Sequence, residues 1–249
     1  IMQKKLNKNY IYSVLVPTFH EEKNIKDFYK AFQRINNKSK KFFLFVDDSK
    51  NNLTALKINK YFIETDYKIL KFKKDKKIST RCKSSWKGFI WLTKNINCDY
   101  VVEMDIDLAQ HPKDLNRGLN YLSKKKGDVL IFSKYLKNSK NEGRTILRKT
   151  ISYLYSKICR TLFSARITDY SNSYRIYKTE SLKDLLKTKR NFDSPIQHLD
   201  NILFFIKRGY SIYETYCHYV ERKGADSSIK FRHLYAYFID FVSCIKKNL

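Results

Sequence analysis

At 249 residues, with 43% hydrophobic and 15% aromatic content, the chain can bury one substantial core and reads as one domain with an appendage. Lys and Arg total 51 against 24 acids, and a formal charge of +27 favours an anionic partner: nucleic acid, anionic lipid or a phosphorylated substrate. Five cysteines lie far apart with no CxxC pair, which argues for reduced thiols over a disulfide framework or a zinc site.

Short β-branched or aromatic runs recur along the chain: "YIYSVLVP" (10–17), "KFFLFVDD" (41–48), "YKILKFKK" (67–74), "YVVEMD" (100–105) and "DVLIFSK" (128–134). Helical patterns over about 24–36, 53–64, 84–96 and 112–123 separate them. Strands alternating with helices predict an α/β fold, a mostly parallel Rossmann-like sheet covered on both faces. Ligands of such sheets bind beyond the carboxyl ends of the strands. Pro17, Thr18 and Phe19 follow the first strand, Asp47 and Asp48 close the second, and Asp105 and Asp107 close a later one, so all three clusters should share one edge.

The stretch "YVVEMDIDLAQHP" (100–112) carries the sharpest chemistry. A side-chain period of two puts Asp105 and Asp107 on one side of an extended chain, where they repel unless a cation or a donor-rich ligand sits between them. Oxygen ligands of this kind suit magnesium or manganese carrying a phosphorylated substrate. A lone DxD is better read as a solvated turn; three polar clusters at three strand ends instead outline a nucleotide site. His111, before Pro112, reads as a helix-start residue.

Farther on, "RTILRKTISYLYSKICRTLFS" (144–164) sets Leu147, Ile151, Leu154, Ile158 and Leu162 on one stripe and Arg144, Lys149, Lys157 and Arg160 off it. This is a basic amphipathic helix, either packed on the sheet or lying in a membrane interface. At the C-terminus an apolar run from Leu234 to Ile245, broken by Asp240 and followed by Lys246 and Lys247, is too short to span a bilayer, which takes ~20 residues. It either lies at headgroup depth or docks on the domain. The expected division is a catalytic domain over 1–225, including the 144–164 helix, and a C-terminal amphipathic helix over 226–249. No charged-then-apolar leader follows Met2, so the expected place is cytoplasmic, peripheral on the cytoplasmic face of a membrane.

Five motifs, "VLVPTFHEEKNI" (14–25), "VDDSKNNLT" (46–54), "MDIDLAQHP" (104–112), "DYSNSYRIY" (169–177) and "YVERKGADS" (219–227), resemble in order and spacing those of family-two glycosyltransferases, within them the dolichol-phosphate (polyprenyl-phosphate) mannose synthases. The resemblance covers about residues 12–245. It implies a GT-A fold and inverting transfer of a sugar, mannose from GDP-mannose above others, from a nucleotide diphosphate to a polyprenyl or dolichyl phosphate. By position, Pro17, Thr18, Phe19 and Glu21 match the first nucleotide-contact loop, and Asp47 and Asp48 the acids that bind base and ribose. Asp105 and Asp107 match the DxD that holds the divalent metal, magnesium or manganese, and the diphosphate. Arg222 matches an arginine that folds over the nucleotide, and Lys134, Arg148 and Ser152 positions that bind the acceptor phosphate. The sequence departs from the pattern at Ser49 and Ser84, where glycines are common, at Ala109, where some members place a metal-binding Gln, at Lys134 in place of Arg, and at Ser228 in place of Lys.

A polyprenyl phosphate offers an ionised oxygen at neutral pH and needs positioning rather than activation. A saccharide hydroxyl, the acceptor in a second reading that keeps the fold and serves cell-surface polysaccharide assembly, needs a general base, for which Asp169 is the candidate. A third reading, a basic nucleic-acid-binding protein, lacks both a glycine-flanked aromatic RNA motif and a DNA-reading helix, so no nucleic acid is expected as partner.

Overall fold

The computed structural model describes residues 8–35, 39–71, 80–164, 166–221 and 234–249. In chain order these form β1 (Asn9–Thr18), α1 (Ile25–Gln33), β2 (Lys41–Asp47), α2 (Leu53–Tyr61), β3 (Tyr67–Lys71), α3 (Arg81–Asn95), β4 (Asn97–Glu103), a 3-10 turn (Pro112–Asp114), α4 (Leu115–Lys125) and β5 (Val129–Ser133). There follow β6 (Lys140–Glu142), α5 (Ile146–Leu162), β7 (Arg175–Lys178), α6 (Thr179–Leu185), α7 (Ile196–Lys207), β8 (Ile212–Tyr216), β9 (His218–Val220) and α8 (Leu234–Asn248).

Seven strands make one sheet in the order β3-β2-β1-β4-β7-β5-β8. Strands β3, β2, β1 and β4 run parallel, as do β5 and β8, while β7 is antiparallel to both its neighbours. Apolar residues of β1, β2 and β4 are buried on both faces, feeding two cores, one under α3, α6 and α7 and the other under α1, α2 and α4. This is how a parallel sheet hides its near-continuous hydrophobic runs. α3 comes close to the sheet because Gly88 has no side chain: a Cβ there would sit 2.3 Å from Leu15 Cδ1.

All five expected strands and four expected helices exist, with bounds that differ for local reasons. α3 starts at Arg81 rather than 84, because the Thr80 side chain caps it by accepting the Lys83 N–H. A 3-10 turn with Pro112 at its start precedes α4, and His111 accepts the Lys113 N–H, the helix-start role expected of it. β4 ends at Glu103, which corrects the extended DxD of the sequence reading. The chain turns at once, with Leu108 in the left-handed region (φ 61°) and the Ala109 N–H bonded to Asp107 Oδ1 at 3.0 Å. The two aspartates therefore belong to a turn, and strand pleat does not align them.

Helix α5 carries its amphipathicity inside out. Its buried residues are Ser156 and Cys159, and Arg148, Ser152 and Tyr155 are half-buried. Leu147 is 69% and Leu154 50% exposed, and Ile151, Ile158 and Leu162 are exposed as well. The packing of this stripe on the sheet, one of two readings of its periodicity, does not occur. Helix α8 docks one face: Cys244 is buried, Phe241 meets Tyr155 of α5 at 5.3 Å between rings, and Lys247 pairs with Asp200 of α7. Tyr235, Phe238 and Ile239 on α8 are exposed. The expected boundary at 225/226 falls outside the described residues.

Candidate active site

The C-terminal ends of β2, β1 and β4 lie side by side in the sheet, so the three polar clusters do share one edge. In the first two, Thr18 pairs in register with Asp47, and the Asp48 N–H bonds to the Thr18 carbonyl at 3.0 Å. Asp47 is fully buried. Its carboxylate accepts from Thr18 Oγ1 (3.2 Å) and Ser49 Oγ (2.5 Å) and pairs with Lys71 Nζ (3.0 Å). Ser49, where the resemblance has glycine, also accepts the His20 N–H at 2.8 Å, holding His20 in a left-handed turn (φ 55°) and tying the loop after β1 to that after β2. Pro17 and Asp48 are half-buried, and Phe19 stands exposed beside the His20 ring, 4.5 Å away. Glu21 is fixed through its N–H to Thr54 Oγ1 and its carboxylate to Asn24.

Asp105 is held from three sides. Arg81 Nε donates to its Oδ1 at 2.5 Å, Ser173 Oγ to its Oδ2 at 3.2 Å, and its own N–H bonds to Gln110 Oε1 at 3.1 Å. Gln110, buried, also donates to Asn172 Oδ1 and Ser173 Oγ, so the residue beside Ala109 braces the turn against the segment before β7. Arg81 Nη1 reaches the buried Glu103 carboxylate at 2.9 Å and His198 Nε2 at 3.1 Å. Burial, with Arg175 and Arg81 close by, drives the His198 pKa well below its ordinary value, so the ring is neutral and Nε2 accepts.

A third group gathers at the end of β5. Lys134, buried, pairs with the fully buried Asp169 (2.9 Å) and donates to Ser171 Oγ (3.2 Å). Ser171 joins Ser152 of α5 (2.9 Å), which accepts from Tyr135 Oη (2.7 Å). Arg148, one turn earlier on α5, pairs with Glu221 at 2.6 Å. The structure thus brings Lys134 and Ser152 into one network and sets Arg148 at its rim. Asp169 accepts the N–H groups of Lys134, Ser171 and Asn172 as well. Burial alone would raise its pKa, but Lys134 and these bonds outweigh it and hold the carboxyl below its ordinary value. This is a structural carboxylate, poorly suited to take a proton from a hydroxyl.

Strand β9 joins the two halves. The Val220 N–H bonds to the Ala109 carbonyl at 3.0 Å, and Tyr219 bridges Gln110. The Tyr219 ring lies 5.6 Å from Lys134 Nζ and 5.5 Å from Arg144 Cζ. The ring thus stands between the DxD turn and the basic group, and burial, with Arg144 opposing and Asp107 and Asp105 adding, pushes its phenol pKa up. Arg222 and Ser228 lie outside the described residues.

The family model for "Glycosyl transferase family 2" matches residues 13–186. The chain belongs to that family. Among curated proteins it is 31% identical over 143 residues to a dolichol-phosphate mannosyltransferase of Pyrococcus furiosus, a match covering 56% of this chain and 38% of the relative. The chain thus spans well under half the length of that protein. Among solved structures, glucosyl-3-phosphoglycerate synthase of Mycobacterium tuberculosis with uridine diphosphate superposes with a TM-score of 0.66 at 13% identity, covering 96% of this chain and 80% of the other. The same enzyme has been crystallised with Mn2+, uridine diphosphate and glucosyl-3-phosphoglycerate. TarS 1–349 of S. aureus gives 0.56 at 17% identity, with 84% and 60% coverage. At these identities the structural likeness concerns the fold, which is the GT-A arrangement.

For a family-two glycosyltransferase the donor set is of the right kind for a divalent metal. Asp105 and Asp107 present hard oxygens at the strand edge, and no group of three or more acidic, histidine or cysteine side chains forms a complete cage among the described residues. Two carboxylates with phosphate oxygens filling other positions is how magnesium and manganese bind nucleotides. Arg81, Gln110, Ser171, Ser173, His198 and Tyr219 are absent from the sequence-based site. Arg81 precedes the helical pattern read from 84, and Tyr219 stands out only as part of a motif.

Proposed function

We propose that the chain transfers a sugar, mannose from GDP-mannose in the first instance, from a nucleotide diphosphate to a polyprenyl phosphate with inversion. The Pyrococcus relative's name favours mannose as the sugar and a dolichol phosphate as the acceptor; the guanine nucleotide rests on the motif resemblance. The observation that carries the proposal is helix α5, which joins Ser152 through Ser171 to Lys134 and pairs Arg148 with Glu221 just after β9, while leaving its apolar stripe outside. An acceptor with an anionic head and an apolar tail matches both faces of one helix.

In this reading Pro17, Thr18, Phe19, Glu21 and Asp48 line the nucleoside end, and the buried Asp47 holds their two loops together. Asp105 and Asp107 hold magnesium or manganese with the diphosphate, and the ion, acting as a Lewis acid, neutralises charge on the departing group. Arg222, by resemblance, adds a second clamp. Lys134, Arg148 and Ser152 orient the acceptor phosphate, whose ionised oxygen attacks the anomeric carbon from the side opposite the diphosphate. No proton need be removed, which agrees with the structural role of Asp169 and tells against a saccharide hydroxyl as acceptor.

Among the described residues no helix is long and apolar enough to cross a membrane. The exposed apolar residues of α5 and α8, joined at Tyr155 and Phe241 and flanked by Lys149, Lys157 and Lys246, favour peripheral contact with an anionic membrane surface. The deciding experiment incubates the protein with GDP-mannose, UDP-glucose and other sugar nucleotides, manganese and a short polyprenyl phosphate, and scores lipid-linked sugar. Transfer to a free saccharide with none to the lipid would replace this reading by the polysaccharide one.

A further inference from the structure

Asp105 already has a cation, and it is part of the fold. We infer that Arg81 is a resident counter-ion for Asp105 that makes metal entry depend on the nucleotide diphosphate, so that the ion binds well with the nucleotide and poorly before it. The inference rests on the nucleotide-dependent, metal-holding reading of the DxD turn.

The guanidinium divides its donors between two acids. Nη1 serves Glu103, fully buried at the end of β4, and Nε serves Asp105 in the turn beyond. His198 of α7 accepts from Nη1, and its backbone carbonyl is in turn bonded by the buried Arg175 at 2.8 Å. Glu103 and His198 therefore tether Arg81: a carboxylate buried at Glu103 strongly opposes loss of its counter-ion. Asp105 has about a third of its side chain exposed and is the partner that can be shared. Nη2 is buried with no hydrogen-bond partner among the described residues.

A divalent cation arriving alone at Asp105 would meet a fixed positive charge on the same carboxylate. Like charges at this range oppose each other, and the tether prevents retreat. A diphosphate reverses the balance. It brings several negative charges to the cation and the guanidinium together. Arg81 is thus a positioning residue whose effect is a coupling between two ligands, and such coupling is reciprocal.

Mn2+ binding to the nucleotide-free protein, read by electron paramagnetic resonance, and calorimetric binding of GDP and UDP with and without Mn2+ test this. Arg81→Gln is expected to tighten binding of free Mn2+ about tenfold and to weaken binding of the Mn2+–nucleotide pair by a similar factor, of the size a lost charge–charge contact gives. Arg81→Lys, whose compact ammonium can serve Glu103 or Asp105 but not both, is expected to fall between, and it decides the matter should the Gln variant not fold. Asp105→Asn should lose Mn2+ in both states. Unchanged free-Mn2+ affinity in the Arg81 variants, with Mn2+–nucleotide binding intact, overturns the role of Arg81 alone. Wild-type protein that binds no Mn2+ with either nucleotide overturns the metal reading beneath it.

Discussion

Asp169 is the residue whose sequence context misleads most. A carboxylate in a polar stretch before a strand is a fair candidate base, yet Lys134, 35 residues away in the chain, and three backbone N–H groups claim it. Nothing local announces such a partner. Because its folded pKa is depressed, Asp169 contributes stability that is present above roughly pH 4 and lost as pH falls through its folded value. Asp169→Asn leaves the Lys134 charge buried and unpaired and should cost about 3–5 kcal/mol in urea unfolding at pH 7, less in acid. Because Lys134 loses the partner that holds it, the folded fraction should bind the acceptor phosphate more weakly, with nucleotide affinity little changed. Asp107 behaves oppositely. Half-exposed in a turn, it holds no core together, so Asp107→Asn should keep the melting temperature while transfer with magnesium or manganese collapses. Near-normal turnover would remove its metal role. The cysteines follow burial: all five are buried and unpaired, and burial pushes the Cys82, Cys159, Cys217 and Cys244 thiols up to about 12. The native protein should react only slowly with a disulfide reagent, and quickly once unfolded.

At the scale of elements, the long periodic segments were legible and the short polar strands were not. β1, β2 and β4 are apolar on both faces and declare themselves by composition. β7 (RIYK), β8 (IYETY) and β9 (HYV) are three to five residues of mixed polarity whose burial is set by the neighbours they pair with. Their absence from the sequence reading also hid how Tyr219 is delivered beside the DxD turn. Helix α5 shows a different limit. A period of 3.6 defines two faces but does not say which one meets the protein. Here the polar face does, because Ser171, Tyr135 and Glu221 offer it partners. Ile151→Ser and Leu154→Ser should therefore change stability by only about 0.5 kcal/mol, where packed residues would cost several. Arg148→Ala should weaken use of the lipid phosphate with little change in nucleotide affinity. A sharp rise in the nucleotide dissociation constant with unchanged acceptor kinetics would place Arg148 at the wrong end of the reaction. Strands β6 and β9 form a separate parallel pair, Glu142 opposite Val220. At Gly143, just after β6, with φ 78° and a Cβ position 2.3 Å from the Glu221 carbonyl oxygen, alanine should loosen that pair and, through Glu221, mimic Arg148→Ala.

Across the whole molecule, the exposed apolar residues of two helices that touch each other say more than the net charge does. The chain's +27 is spread too widely to name a partner, but α5 and α8 join at Tyr155 and Phe241 and together leave Leu147, Ile151, Leu154, Tyr235 and Phe238 in the open. Exposed apolar residues on helices that also carry lysines suit an anionic interface, with aromatic residues at headgroup depth and each lysine near the surface adding about 1 kcal/mol at low salt. Removing residues 234–249 is a blunt test of this, since Cys244 and Lys247 also anchor α8 to the domain. Substituting the exposed residues separates the two roles. The intact protein should sediment with anionic liposomes at low salt and release as salt is raised, and it should ignore neutral ones. A variant carrying Leu147→Ser, Ile151→Ser, Tyr235→Ser and Phe238→Ser should lose most of that binding while keeping its melting temperature and nucleotide affinity. Liposome binding that survives the four changes would assign the attraction to charge alone and leave the apolar side of α5 and α8 without a membrane role.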